Sequence, residues 1–198
     1  MTPGQLLDQI REIYLEGFAK IVESCRKDES VKVVTEAALS TSDGEIVGSG
    51  PHNLPLRNDI FIAVDGVAKE SIMVDAGRSL SFEPFSFEWD QKLLVTLSPF
   101  QWDLCEAKIF GLNGSPDWKP LVDWFMSSFE ESPPSEWGKE FLGVVHFMSD
   151  PEFDGDCYSI TLDLGSAPVE AFESLLDAFV LVGAKSVEIG RFSVGGKE

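Results

Sequence analysis

The chain has 198 residues, 43% hydrophobic and 25% charged, with 15 basic against 34 acidic side chains and a formal charge of −19. These proportions belong to a globular domain and exclude intrinsic disorder, a collagen-like repeat and a disulfide scaffold. No apolar run reaches the roughly 18 residues of a membrane span, and the start, MTPGQLLDQIREIY, lacks the basic and apolar regions of a secretory signal.

Thr2, Pro3 and Gln5 form a capping-box pattern. Leu6, Leu7, Ile10, Ile13, Tyr14, Phe18, Ile21, Val22 and Cys25 follow at three- and four-residue spacing. This stripe predicts a long amphipathic helix from Pro3 to about Lys27 whose apolar face covers a core. From Val31 to Leu97 the period becomes two. Strands are expected at Val31–Leu39, Glu45–Val47, Ile60–Val64, Ser71–Val74, Leu80–Trp89 and Leu93–Leu97, with turns at Asp43-Gly44 and Asp65-Gly66. They read as an antiparallel meander. Pro84 marks a change of phase that brings Leu80, Phe82, Phe85, Phe87 and Trp89 onto one face.

The second half reads strand, helix, strand, strand, helix, strand. The strands are Leu104–Phe110, Phe141–Met148, Cys157–Leu164 and Ser186–Phe192. One helix is capped by Ser115 and starts at Pro116; the other is capped by Ser166 and ended by Gly183. The fold class is therefore α+β: a long N-terminal helix and meander (1–98), then a ferredoxin-like βαββαβ half (about 103–193 within 99–198), packed as one unit. Strand parity places Ala107, Ile109, Tyr158, Ile160, Leu162, Val187 and Ile189 towards the helices. Glu106, Lys108, Thr161, Asp163 and Glu188 face the other way, and His146 joins them if Val144, His146 and Met148 point outwards. WKPLVDWF (118–125) aligns with FESLLDAF (172–179) at helical spacing.

Cys25, Cys105 and Cys157 include no CxxC pair, and His52 and His146 are the two imidazoles, so zinc-site spacing is absent and reduced cytoplasmic thiols are expected. DPEFDGD (150–156) alternates oxygen ligands like part of a calcium loop, but Thr161 stands where that loop needs Glu, so a hairpin turn on Asp154-Gly155 is the simpler reading. No metal or other cofactor is expected. His146 on a mixed face reads as a hydrogen-bonded structural residue whose removal leaves binding largely intact.

The acidic balance disfavours nucleic acid and anionic membrane and favours a basic protein partner. The first expectation is therefore an acidic, non-catalytic masking protein of the toxin-immunity or inhibitor type. Its binding residues would be Glu130, Glu131, Glu136, Trp137, Glu140, Asp150, Glu152, Asp154 and Asp156, on stiff loops with Trp137 as the apolar anchor. The alternative is a small-molecule sensor or enzyme with a pocket between the halves, lined by Phe85, Trp89, Trp102 and His146. A self-associating structural protein is the third reading.

Overall fold

The computed structural model describes residues 1–28, 30–64, 67–74, 79–112, 114–130 and 141–191. The first element is helix α1 (Pro3–Cys25). Its capping box is complete: the Gln5 amide N–H donates to Thr2 Oγ1, and the Thr2 N–H donates to Gln5 Oε1. Leu6, Leu7, Ile10, Tyr14, Leu15, Phe18 and Val22 are buried along the expected stripe.

Strands β1 (Lys32–Ala38), β4 (Arg57–Val64) and β5 (Val67–Ile72) form a three-stranded antiparallel sheet in the order β1-β4-β5. Between β1 and β4 lies a hairpin of β2 (Gly48–Ser49) and β3 (Leu54–Pro55). The expected Glu45–Val47 strand is reduced to a single bridge between Ser40 and Ile46. The expected Ser71–Val74 strand lies earlier, where β5 pairs with β4, and the expected Asp65-Gly66 turn falls outside the described residues.

The remaining strands belong to a second sheet. They are β6 (Phe85–Trp89), β7 (Leu93–Leu97), β8 (Cys105–Phe110), β9 (Phe147–Met148), β10 (Glu152–Phe153), β11 (Tyr158–Asp163) and β12 (Ser186–Gly190). Their order is β10-β11-β8-β12-β7-β6, with β9 also on β11. The sheet is mixed, since β7 runs parallel to β12 while the other pairs are antiparallel. The strands of 31–97 thus divide among three sheets, β1-β4-β5, β2-β3 and the part of the large sheet held by β6 and β7, instead of forming one meander. Strand β6 starts at Phe85, not Leu80, because Pro84 supplies no N–H to a ladder.

Helices α2 (Lys119–Phe129) and α3 (Val169–Val182) pack against each other, and α1 packs against α3 and β1. Neither of the two later helices starts where its serine suggested. A helix from Pro116 would bring the Pro120 ring against the Pro116 carbonyl four residues back, so α2 begins at Lys119 with Pro120 in its first turn. Ala167 precedes Pro168 and is biased away from helical backbone, so α3 begins at Val169. Ser166 is used differently: its hydroxyl accepts the Gly143 and Val144 N–H groups. Gly183 ends α3 in left-handed backbone, φ 95°.

Ala107, Ile109, Ile160, Leu162, Val187 and Ile189 lie in the core, as their parity requires. The three cysteines are free thiols. Among the described residues no helix is long and apolar enough to cross a membrane.

Candidate functional site

The segment 141–148 departs most usefully from expectation. Only Phe147–Met148 is strand, because Gly143 takes a left-handed conformation, φ 76°, that breaks the ladder. The backbone around it bonds to three different elements instead. Val145 N–H donates to Ser128 O at the end of α2, and His146 N–H donates to Asp163 O at the end of β11. Arg57 N–H, opening β4, donates to His146 O. These bonds draw His146 inward, so it does not lie on the open polar sheet face. Its side chain is fully buried.

Three carboxylates surround the imidazole. Nδ1 lies 2.7 Å from Asp59 Oδ1 and 3.6 Å from Asp163 Oδ2; Nε2 lies 2.8 Å from Glu36 Oε1. Each acid's other oxygen is held by one backbone amide: Val74 N–H donates to Asp59, Gly165 N–H to Asp163 and Leu142 N–H to Glu36. Asp163 shares the parity of Glu106 and Lys108 but is only 7% exposed, because at the strand's end its carboxylate turns to His146. Glu36 and Asp59 come from neighbouring strands. The register Thr35↔Ile60 and Ala37↔Asn58 sets them opposite one another. Like charges so placed repel, and His146 lies between them.

Two backbone features are specific to this site. Glu36 holds φ 54° inside β1, a left-handed conformation costing a side-chain-bearing residue about 1–2 kcal/mol. Gly165, φ 52°, lies so close to the ring that a Cβ there would sit 2.3 Å from His146 Cδ2 and 2.6 Å from Val144 O. The chain can pass the imidazole only as glycine. Phe18 of α1 meets the ring edge-on at 6.3 Å.

Burial by itself would depress His146, but the attraction of Asp163 and the hydrogen bonds of Asp163, Asp59 and Glu36 outweigh it and hold the imidazole well above its ordinary range. Burial raises Asp163, and His146 offsets this only in part. Both shifts mean that the folded site retains protons. Glu36, Asp59 and Asp163 all face the His146 ring, and the Arg11 guanidinium is also attracted by Glu36. The nearby Arg57 guanidinium donates to the backbone oxygens of Glu36 and Phe129 and lies over the Phe129 ring. Uncompensated charge in a buried site is costly. Asp59, His146 and Asp163 offer three ligand atoms within 4.8 Å of one another, a spacing able to hold a metal ion. The chain is an α+β domain with a buried acidic cluster suited to a ligand or a metal.

No protein-family model, curated protein or solved structure matches this chain. The site must be read from its own chemistry.

The other candidate residues are dispersed. Phe85 stacks on Phe87 and borders an apolar hollow of about 190 Å³ with Met1, Leu6 and Phe82. Trp89 donates its indole N–H to Asp177 on α3. Trp102 is buried against Phe172, and its indole N–H has no acceptor among the described residues. No ring contact or hydrogen bond among the described residues joins His146 to these three. Asp150 is clamped by the β2–β3 hairpin, receiving the His52 N–H and pairing with its Nδ1. Glu130, Glu152, Asp154 and Asp156 are exposed. Asp154 accepts the N–H groups of Asp156 and Cys157, a turn closed on its own backbone. Glu131, Glu136, Trp137 and Glu140 lie outside the described residues.

Sequence reasoning missed Glu36 and Asp59. Their available signal was charge inside the apolar strand runs KVVTEAA and RNDIFIAV. A charged residue there needs a buried partner, and nothing local names it.

Proposed function

We propose that this protein is a metal-binding domain of the sensory or structural kind. A divalent transition-metal ion would be held by Asp59, His146 and Asp163, joining the small sheet to the large one. The arrangement of His146 carries the reading. Glu36 on Nε2 fixes the ring so that Nδ1 faces Asp59 and Asp163, the carboxylate–histidine–metal pattern in which an outer carboxylate sets the tautomer. An imidazole with carboxylates suits a first-row ion better than magnesium or calcium, which take oxygen ligands alone. A divalent cation would replace the retained protons and balance the acids. The ligands are at most one-tenth exposed, which admits an ion and disfavours turnover of a larger substrate. Asp59 comes from the first half and His146 and Asp163 from the second, so occupancy would set how firmly the two are joined.

Elemental analysis of protein purified without chelator, followed by zinc titration calorimetry, tests this. One equivalent is expected to bind with proton release, and Asp163→Asn is expected to weaken it at least tenfold. Failure of wild type to bind zinc, cobalt or manganese at stoichiometric ratio would refute the reading.

The spatial order β9-β11-β8-β12 supports a ferredoxin-like reading of the second half, and the free thiols support a reducing, cytoplasmic compartment. Masking of a basic partner is the second reading. It is favoured by Phe153, 60% exposed among Glu152, Asp154 and Asp156. A pull-down at low and high salt tests it, and no capture at either salt counts against it.

A further inference from the structure

Tyr14 is buried on the inner face of α1, 1% exposed, and its hydroxyl has no hydrogen-bond partner among the described residues. A buried polar group is nearly always paired, so an orphan needs a reason. Its position suggests one. Tyr14 stands one helical turn before Phe18, ring centroids 5.7 Å apart, and Phe18 abuts His146. Burial pushes the hydroxyl's titration up, and the neighbouring acids Asp163, Asp59, Asp103 and Glu36 push it the same way.

The second oxygens of Asp59, Asp163 and Glu36 hold the amides of Val74, Gly165 and Leu142. Three protein ligands leave a four-coordinate transition ion one position, which water normally fills. A buried water needs polar partners of its own, and Tyr14 has both a donor and an acceptor to offer.

Building on the metal reading above, we propose that Tyr14 is the outer partner of the metal centre. Its hydroxyl hydrogen-bonds the water that completes the coordination of the ion held by Asp59, His146 and Asp163. Tyr14 thereby tunes affinity from α1, an element that contributes no direct ligand. The hydroxyl, without a partner among the described residues, would find one in that water.

Cobalt(II) and zinc titrations of wild type and Tyr14→Phe test this. Removing an outer partner is expected to weaken binding about 10–100-fold and to shift the visible cobalt spectrum. Without metal, Tyr14→Phe is expected to melt no lower than wild type, since it removes an unpaired buried hydroxyl. As a check on the intact chain, zinc should perturb the tyrosine ultraviolet difference spectrum of wild type. The chain has two tyrosines, and Tyr158 packs between Trp118 and Phe153 on the large sheet, so a Tyr158→Phe control assigns the signal. Equal affinity and an unchanged cobalt spectrum in Tyr14→Phe would overturn the role of Tyr14 and leave the metal centre standing. Absence of binding to wild type would overturn both. A wild-type tyrosine spectrum indifferent to bound zinc would also count against Tyr14.

Discussion

Replacing His146 by Ala removes the cation from among three buried acids. The imidazole makes contacts of 2.7 Å to Asp59 and 2.8 Å to Glu36 and approaches Asp163 at 3.6 Å. Breaking a buried ion pair from one side typically costs about 3–5 kcal/mol, because the partner stays behind uncompensated. Here several partners stay behind, and the lost ring adds a cavity. For a chain of this size 1 kcal/mol corresponds to about 2–4 °C in Tm, so His146→Ala should lower Tm by about 6–20 °C. The assay is calorimetric unfolding in chelator near pH 6.5, repeated with zinc, which should stabilise wild type but not the variant. Asp163→Asn added to His146→Ala should recover part of the loss, because one fewer carboxylate is stranded. A Tm within about 1 °C of wild type and an unaltered zinc response would refute the reasoning. From the sequence His146 reads as a hydrogen-bonded structural residue whose removal leaves binding largely intact; its hydrogen bonds are present, and the zinc response of the variant tests the rest.

In chelator, stability should fall as pH rises. The folded pKa of His146 is raised, so its contribution is fully present below the ordinary imidazole value of 6.5 and is lost as pH climbs through the raised value. Asp163 is raised as well and acts with the same sign at lower pH. Saturating zinc should flatten or invert this slope, and melting curves from pH 6 to 9 measure it. Gly165→Ala should cost upwards of about 2 kcal/mol, from left-handed backbone and the contact with His146 together; denaturant titration checks this. Thr2→Ala removes the α1 cap and should cost about 1 kcal/mol by the same titration while leaving zinc affinity unchanged, the control for general destabilisation.

Local physical chemistry carried much of the fold. The α1 stripe, its capping box, β7 and the glycine end of α3 are set by neighbours within a few residues. So is the burial of alternate residues in β8, β11 and β12. Where two local rules competed, the serine caps yielded to prolines: Pro120 and Pro168 decide the helix starts more strongly than a favourable hydroxyl can. The candidate site was far less legible. Asp163 and His146 were visible as polar residues in strands, but their faces depended on how 141–148 is tied down.

The amino-acid order alone determined the helices, most strands, the excess of acid and the presence of isolated charges within apolar runs. Only the tertiary structure decided that Glu36, Asp59, His146 and Asp163 meet, and that Tyr14 packs on Phe18, which abuts the imidazole. They come from separate segments up to 127 positions apart in a numbering that runs from 36 to 163. Periodicity reports the face a residue occupies, whereas the meeting of charges depends on which strands pair and where Gly143 and Gly165 let the backbone turn.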